Sequence, residues 1–531
     1  MKIQCEEVKF SDLLGFLGKR IDRLDWLKGS GKATERVDAL TEAGSNLAEE
    51  KPPKDAVHAM YQAGLSLWEQ LYPAAIQKID FDIRGIGELK TYTHRFARFE
   101  DLIYNADDRY RDHILHSLWV YCLGERFAEK FTALRFDPLY IPFFCAETRK
   151  GAKGRVDGVP EMQTITESLF KNSKIDATTV SRPHSWYDGL ENLYDKRDAV
   201  WAAAALLHDI GYPLARVMRI EDEIRKTLQS YGPFYPSELA VHWSPIQVQS
   251  VSRFVDFSSE NLAYDGSCAD LLGGRLHGQA RIESEPFLTS LVSKSIEDRD
   301  HGVLGAYLLY RLTRSFKRLY ESRVLEDADH WWFTMSLAKG AILRAITGHT
   351  IPVYRYDFFP QFGAYLFLMD ELEDGLRFYK VPGEKRYLVS AFSTFFGVAK
   401  GTFDERKGVL VMGIRVVDNS STTTGAKGLK EIAIKSFAHR FSRFFHLFNS
   451  ERVSQQTPVV VHFEYWQGES KFVGEAKFLS PTVKIFLEDC SPSPENWSAP
   501  EHIEKLFERE GLDLAQPWAP TKEPSVDLNT Q

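Results

Sequence analysis

The chain has 531 residues, of which 44% are hydrophobic and 13% are aromatic. This length predicts roughly two to four domains, and this composition excludes a wholly disordered protein. The net charge of −8 argues against a protein that coats nucleic acid non-specifically, so stable nucleic-acid binding is not expected.

Hydropathy and cysteine usage exclude further classes of protein. The longest apolar run, residues 199–207, has nine members, whereas a membrane-spanning helix needs about twenty. The first residues include acids and lack an apolar core, so we expect no export signal. The five cysteines form no CxxC pair, which argues against a disulfide framework and a Cys-type zinc site. We therefore expect a cytoplasmic protein without a membrane partner, in which any metal ligands are His and carboxylate.

The first three quarters of the chain have a helical pattern. Apolar residues recur at three- and four-residue spacing in residues 1–100, which predicts an N-terminal helical region. Residues 49–54 carry two prolines and several charges, as linkers do. Residues 101–380 continue the helical pattern and contain the histidines discussed below. The less regular stretch 217–300 within them predicts a long insertion, such as a lid.

The pattern changes to strands after about residue 381. Strands are predicted at 386–392, 409–417 and 459–466, with a helix at 429–448 between the last two. This order predicts a small α+β domain over 381–490, followed by a Pro-rich tail over 491–531 with one short helix. The predicted fold class is a mainly α-helical core with a smaller C-terminal α+β domain.

Two motifs place histidines on helices of the predicted core. His113 and His116 are three residues apart, so they lie on one face of a helix. A very apolar helix then ends at the adjacent pair His208 and Asp209, and Gly211 and Pro213 are expected to stop it. Burying such a pair is costly unless a cation or hydrogen bonds neutralise the carboxylate.

Three further residues of the same chemical types follow. His301 opens an apolar helix, His349 closes another, and Asp370 lies at the end of an apolar run. Imidazole nitrogen combined with carboxylate oxygen suits Mn, Fe, Co, Ni or Zn better than Mg, which prefers oxygen ligands. Such an ion lowers the pKa of bound water, and a second ion can hold the leaving oxygen. We predict that one or two divalent ions bind here.

The ordered pattern H…HD…H…H…D resembles that of the HD-domain superfamily of metal-dependent phosphohydrolases, over roughly residues 105–378. The resemblance implies an HD-domain catalytic core and six metal-binding residues: His116, His208, Asp209, His301, His349 and Asp370. It places His116, His208, Asp209 and Asp370 on the first metal, with Asp209 as a bridge. His301 and His349 then complete a second metal site or act on the substrate as catalytic residues.

Within that superfamily, the phrase His-Ser-Leu-x-Val at 116–120 resembles the first motif of the deoxynucleoside triphosphohydrolases. These enzymes convert a dNTP into a deoxynucleoside and tripolyphosphate, and they are often oligomeric and nucleotide-activated. This sequence departs from them at three positions: His113 replaces an Arg, Tyr212 replaces a His that assists catalysis, and Glu371 replaces a frequent Lys. The reaction of these enzymes is our first hypothesis for this chain. It makes His113 a candidate catalytic residue and Tyr212 a candidate substrate contact. The expected assembly is a homo-oligomer.

A nucleotide substrate also requires positive charge near the metal. Arg109 and Arg111 flank the first motif, while Arg216 and Arg377 follow later ones, and these four are candidate substrate-binding residues.

The predicted C-terminal helix offers a second location for an anion. It carries several basic residues, among them Lys435 and Arg440, which we consider as an effector-binding site for a nucleotide. The alternative is an ordinary amphipathic helix with a solvated basic face.

Other functions stay open on the sequence alone. One is a phosphodiesterase or pyrophosphatase that acts on cyclic or signalling nucleotides. Another is a di-iron oxygenase with the HD fold, which uses the same ligand pattern. The third is a non-catalytic module that senses nucleotides, against which the intact set of ligands argues.

Overall fold

The structure is a computed structural model, and it describes the helices and strands given below together with a few flanking residues. In numbers, the described residues are 5–8, 10–27, 31–47, 56–80, 85–106, 113–132, 196–230, 248–259, 278–313, 330–350, 362–373, 379–380, 387–388, 393–399, 409–418, 459–467, 470–479 and 482–489. The chain divides into two compact units. One comprises residues 10–352 and 359–389, and the other comprises residues 1–9, 353–358 and 390–531.

The larger unit is mainly helical, as the sequence predicts. Its helices are α1 (Phe10–Ile21), a 3-10 turn (Asp25–Leu27), α2 (Gly31–Leu47), α3 (Ala56–Ile79), α4 (Ile86–Ala106), α5 (His113–Thr132), α6 (Arg197–Leu207), α7 (Tyr212–Ser230), α8 (Gly278–Glu297), α9 (His301–Leu312), α10 (His330–Gly348) and α11 (Phe362–Glu373). Residues 248–259 are also helical. Two short strands, β2 (Tyr379–Lys380) and β3 (Tyr387–Leu388), pair antiparallel.

Helix α6 forms the centre of this unit. Every residue from Ala199 to Leu207 is at most 1% exposed, because this helix is apolar on all sides. It packs against α3, α5 and α10, and α10 packs in turn against α9 and α11. The alanines of α6 let its neighbours approach closely, so the end of α6 lies deep among helices that carry the other motifs.

The N-terminal helices belong to the same compact unit as the motif helices. Trp68 of α3 donates its indole N–H to the carbonyl of Leu206 at 2.7 Å, and the Tyr92 hydroxyl of α4 donates to the carbonyl of Ile210, also at 2.7 Å. Carbonyls at the end of a helix lack backbone donors, so these two side chains satisfy them. Helices α3 and α4 therefore support the turn that follows α6.

The helix limits agree with most of the motif placements and differ at one. Helix α6 ends directly before His208, as expected. Pro213, however, does not act as a stop, because it lies in the first turn of α7. A proline is accommodated there because the first backbone N–H groups of a helix need no partner within the helix.

In the region 217–300, where the sequence predicts an irregular insertion, the described residues are largely helical: α7 continues to Ser230, residues 248–259 are helical, and α8 occupies most of 278–300. A lid role for this region stays a prediction. Among the helices that the structure describes, none is long and apolar enough to cross a membrane.

Among the described residues, the second unit contains a six-stranded sheet in the order β1-β4-β5-β6-β7-β8. Its strands are β1 (Cys5–Val8), β4 (Ser393–Ala399), β5 (Val409–Asp418), β6 (Val459–Gln467), β7 (Ser470–Leu479) and β8 (Thr482–Asp489). Strands β5 and β6 are parallel, and the other neighbours are antiparallel. The linker predicted at 49–54, the helix predicted at 429–448 and the tail at 491–531 lie outside the described residues.

Candidate metal centre

The first part of the centre is the turn 208–211 after α6. His208 is fully buried, and its Nδ1 lies 2.7 Å from the carbonyl oxygen of Ala205. Because a carbonyl only accepts, Nδ1 carries the hydrogen and Nε2 presents a lone pair. Burial lowers the pKa of His208, which favours this neutral form.

His116 and Asp370 meet His208 from two other helices. The Nε2 atom of His116, on α5, lies 3.2 Å from Nε2 of His208 and 2.8 Å from Oδ1 of Asp370, on α11. The same Asp370 oxygen is 3.8 Å from His208 Nε2. Ligand atoms about 2.0–2.2 Å from one ion are separated from each other by roughly 2.8–3.6 Å, and two of these three distances lie in that range.

Asp209 joins this triad to a second group of side chains. Its Oδ2 lies 3.6 Å from His116 Nε2, whereas its Oδ1 lies 3.3 Å from His301 Nε2 and 4.0 Å from His349 Nε2. Oδ1 also lies 3.6 Å from Nε2 of His208, so this oxygen links His208 of the triad to His301 and His349. Burial opposes ionisation of Asp209, but His208, His301 and His113 together outweigh it and hold the pKa of this carboxyl well below its usual range.

His349 completes the second group. It follows the last residue of α10, and its Nδ1 lies 2.7 Å from the carbonyl oxygen of Ile346. Its buried Nε2 atom has no hydrogen-bond partner among the described residues. Burial, reinforced by His208 and His301, lowers the pKa of His349 to about 4, so the ring is neutral at pH 7. A buried, neutral and unpartnered Nε2 is what a metal ligand requires.

His301 lies in a different environment. It is the first residue of α9, after Asp300, which accepts a hydrogen bond from the backbone N–H of Val303 as the helix cap. Its side chain is 30% exposed. Burial opposes protonation, but the hydrogen bond to Asp209 and the charge of that carboxylate prevail and raise the pKa of His301.

The donor set fits a divalent ion. Two groups of three residues have ligand atoms within 4.8 Å of one another, namely His116, His208 and Asp370, and His208, Asp209 and His349. Since His208 Nδ1 is engaged with Ala205, only its Nε2 can bind an ion, and the two groups cannot both use it. These distances are consistent with one ion bound to His116, His208 and Asp370. Asp209 would then lie between that ion and the side chains of His301 and His349.

Two of the candidate substrate residues lie beside this cluster. The Tyr212 ring contacts the ring of His113, with centroids 3.7 Å apart, and meets the ring of His301 edge-on at 5.5 Å. The Arg216 guanidinium lies over the Tyr212 ring, 5.6 Å from its centroid. Arg109, Arg111, Arg377, Lys435 and Arg440 lie outside the described residues.

Two buried carboxylates that the sequence analysis did not select contact the histidines of α5. Glu100 of α4 lies 2.8 Å from Nδ1 of His113 and also accepts from its backbone N–H at 3.0 Å. Glu373 hydrogen-bonds to Nδ1 of His116. Glu373 is three residues after Asp370, which places both on one helical face, and this spacing was the available signal. Nothing in the sequence indicated the pairing of Glu100.

No family model, no curated protein and no solved structure matches this chain.

Proposed function

We propose that this protein is a metal-dependent phosphohydrolase that acts on nucleotides, and that it binds one or two divalent transition-metal ions in the cluster around Asp209. The observation that carries the proposal is the approach of His116 Nε2 to His208 Nε2 at 3.2 Å. The other ring nitrogen of each histidine faces a hydrogen-bond acceptor, so both Nε2 atoms present lone pairs. Two lone pairs this close, beside two carboxylates, favour a cation between them.

The side chains would divide the work as follows. His116, His208 and Asp370 hold the first ion, Asp209 contributes to both sides, and His349 directs its unpartnered Nε2 to the second side. A bound divalent ion supplies Lewis acidity and lowers the pKa of coordinated water toward neutrality. His301, which is partly exposed and hydrogen-bonded to Asp209, is placed to contact substrate oxygen atoms or to donate a proton to them.

The reaction that we favour is conversion of a dNTP to a deoxynucleoside and tripolyphosphate. Two features support this reaction. One is the His-Ser-Leu-x-Val motif, and the other is the ring contact between His113 and Tyr212 beside the proposed metal ligands. We propose that Arg216, whose guanidinium lies over the Tyr212 ring, binds a phosphate group of the substrate. A hydrolase of cyclic or signalling nucleotides and a di-iron oxygenase use ligands of the same type, so product identification must separate them.

The test uses the whole chain loaded with Mn²⁺ and a panel of dNTPs, NTPs, cyclic nucleotides and dinucleotides, with products identified by chromatography. We expect deoxynucleoside and tripolyphosphate from at least one dNTP. Replacing both His208 and Asp209 with alanine should remove most of the metal and lower the rate by orders of magnitude. His94→Ala is the matched control, because the His94 side chain is 66% exposed and pairs with Glu69 of α3. A metal-loaded wild-type chain that cleaves no nucleotide would contradict the proposal.

The remaining partners are proposals on sequence grounds: a nucleotide effector bound through Lys435 and Arg440 of an α+β domain, and a homo-oligomer. The charge pattern of residues 429–448 supports the first, and the resemblance to nucleotide-activated enzymes supports both. A rate that rises sigmoidally with dNTP concentration in the same panel would support an effector site, whereas a hyperbolic rise would favour an ordinary solvated helix face.

A further inference from the structure

A second buried carboxylate accompanies the metal-binding Asp370 on α11. Glu373 is the last residue of this helix and is 0% exposed, whereas the Asp370 side chain is 18% exposed. The two acids are three residues apart, so both face α5. Burying a carboxylate without a partner is strongly unfavourable, and the partner here is the Nδ1 atom of His116.

The positions of three ligand histidines in their helices explain why His116 needs this partner. His208 and His349 each lie directly after the last residue of a helix, and each donates its Nδ1–H to the carbonyl three residues earlier. Carbonyls in the last turn of a helix lack helical donors, so they are free to accept.

His116 lies in the first turn of α5, where no carbonyl of a helix C-terminus is available to accept its Nδ1–H. The carbonyl three residues earlier, that of His113, accepts from the Ser117 hydroxyl at 2.7 Å and lies within the helix. An acceptor for His116 Nδ1–H therefore has to come from another helix, and Glu373 of α11 supplies it.

We infer that Glu373 is a positioning residue that fixes the ring of His116 for metal binding, an inference that rests on the proposed function. As an acceptor, Glu373 holds the hydrogen of His116 on Nδ1 and leaves Nε2 as the ligand atom, 2.8 Å from Asp370 Oδ1. Because Asp370 and Glu373 share α11, this helix supplies both a ligand for the ion and the orientation of a second ligand on α5.

The test measures binding of Mn²⁺ alone, by the EPR signal of the free ion, in full-length variants. Glu373→Met keeps the volume and removes the acceptor, whereas Glu373→Gln keeps a weaker acceptor oxygen. Glu125→Gln is the matched control, because Glu125 is a buried acid on the same helix as His116 but accepts a hydrogen bond from Arg20. Circular dichroism and thermal melting of the chelator-treated variants report on folding.

We expect Glu373→Met to weaken Mn²⁺ affinity by about 10–100-fold, as replacements of carboxylates that orient a histidine ligand do. Glu373→Gln should lose less, and Glu125→Gln should bind like the wild type. Wild-type affinity in Glu373→Met overturns the inference alone, since it means that Glu373 only fills space. If Glu373→Met does not fold, Glu373→Ala, which likewise removes the acceptor, decides, and wild-type affinity in it overturns the inference. A wild-type chain that binds no Mn²⁺ overturns the proposed function as well.

Discussion

His301 and His349 face the same oxygen of Asp209, but their surroundings favour different roles in the site. The Nε2 atom of His349 is buried, and its ring is fixed through Nδ1 by the carbonyl of Ile346. The side chain of His301 is 30% exposed and lies closer to Asp209, at 3.3 Å. A buried, oriented nitrogen suits an ion, whereas a partly exposed ring can reach a substrate.

Separate alanine variants at these two positions test the division. We expect His349→Ala to lower the metal content, because it removes a buried Nε2 atom that has no hydrogen-bond partner among the described residues. His301→Ala should keep its metal while turnover falls by about 10²–10⁴-fold, the usual contribution of a proton donor or acceptor. Metal analysis and steady-state rates on the same preparations measure both effects. If both variants keep wild-type metal and wild-type turnover, neither residue has a role in the site.

Glu125 gives a prediction about pH that is independent of the metal. Burial, reinforced by Asp198, raises the pKa of Glu125 from 4.5 to about 8, although the guanidinium of Arg20, 2.6 Å away, acts in the opposite direction. Between these two pH values the folded chain keeps this proton and the unfolded chain loses it. Glu125 therefore contributes stability below its unfolded pKa that is lost as the pH rises toward 8.

The Glu125→Gln variant, which cannot titrate, should remove this part of the pH dependence. The wild-type free energy of unfolding should fall more steeply between about pH 5 and pH 8, by up to ~1.4 kcal/mol per pH unit relative to the variant. Urea denaturation of chelator-treated protein at several pH values measures the two slopes. Parallel slopes would mean that Glu125 is ionised in the folded chain throughout this range.

At the scale of helices, the candidate metal centre depends on a close approach between the turn 208–211 and α9. A Cβ atom on Gly211 would lie 2.0 Å from the carbonyl oxygen of His301 and 2.3 Å from the backbone nitrogen of Gly305. Both are backbone atoms, so a larger residue cannot be accommodated by rotating a side chain. The absence of a side chain at Gly211 lets α9 bring His301 close to Asp209.

Gly211→Ala should separate these elements. We expect the free energy of unfolding to fall by about 1–3 kcal/mol and Mn²⁺ affinity to fall with it, because overpacked contacts cost this much. Gly15→Ala is the control, since Gly15 is exposed within α1 and its added Cβ meets nothing within 4 Å. There alanine should stabilise by up to about 1 kcal/mol. Urea denaturation that shows the same sign for both variants would contradict the assignment of Gly211 as a packing contact.

Helix ends are where the sequence was most informative about the site. Apolar runs that stop at His208 and His349, or begin at His301, predicted where these histidines lie in their helices, and the helix limits confirm this. Pro213 was interpreted wrongly, because a proline after a helix and a proline opening the next one look alike in sequence. The contacts of Glu100 and Glu373 depend on how distant helices pack, which periodicity does not encode.

At the scale of the molecule, the proposed ligands are as far apart in sequence as His116 and Asp370. They lie on α5 and α11, which are both part of the larger unit. An ion bound to them would act only on the folded state of that unit. At a free concentration about 100 times its Kd, it would add about 2.7 kcal/mol to the free energy of unfolding.

Calorimetry with and without Mn²⁺ tests this expectation. The melting temperature of the larger unit should rise by several degrees in the wild type. His208→Ala should show no increase, whereas His94→Ala, changed at an exposed position, should behave like the wild type. An equal increase in His208→Ala would place the ion elsewhere in the chain.

The pairing of β1 with β4 has a consequence for synthesis on the ribosome. Val8 pairs with Thr394, which is translated nearly 390 residues later. At roughly 5–20 residues per second, β1 leaves the ribosome about 20–80 seconds before its partner exists. During that time its backbone N–H and C=O groups cannot pair with β4 and need water or another segment as partner. The sheet of the second unit is thus completed last, after the residues of the larger unit have already been made.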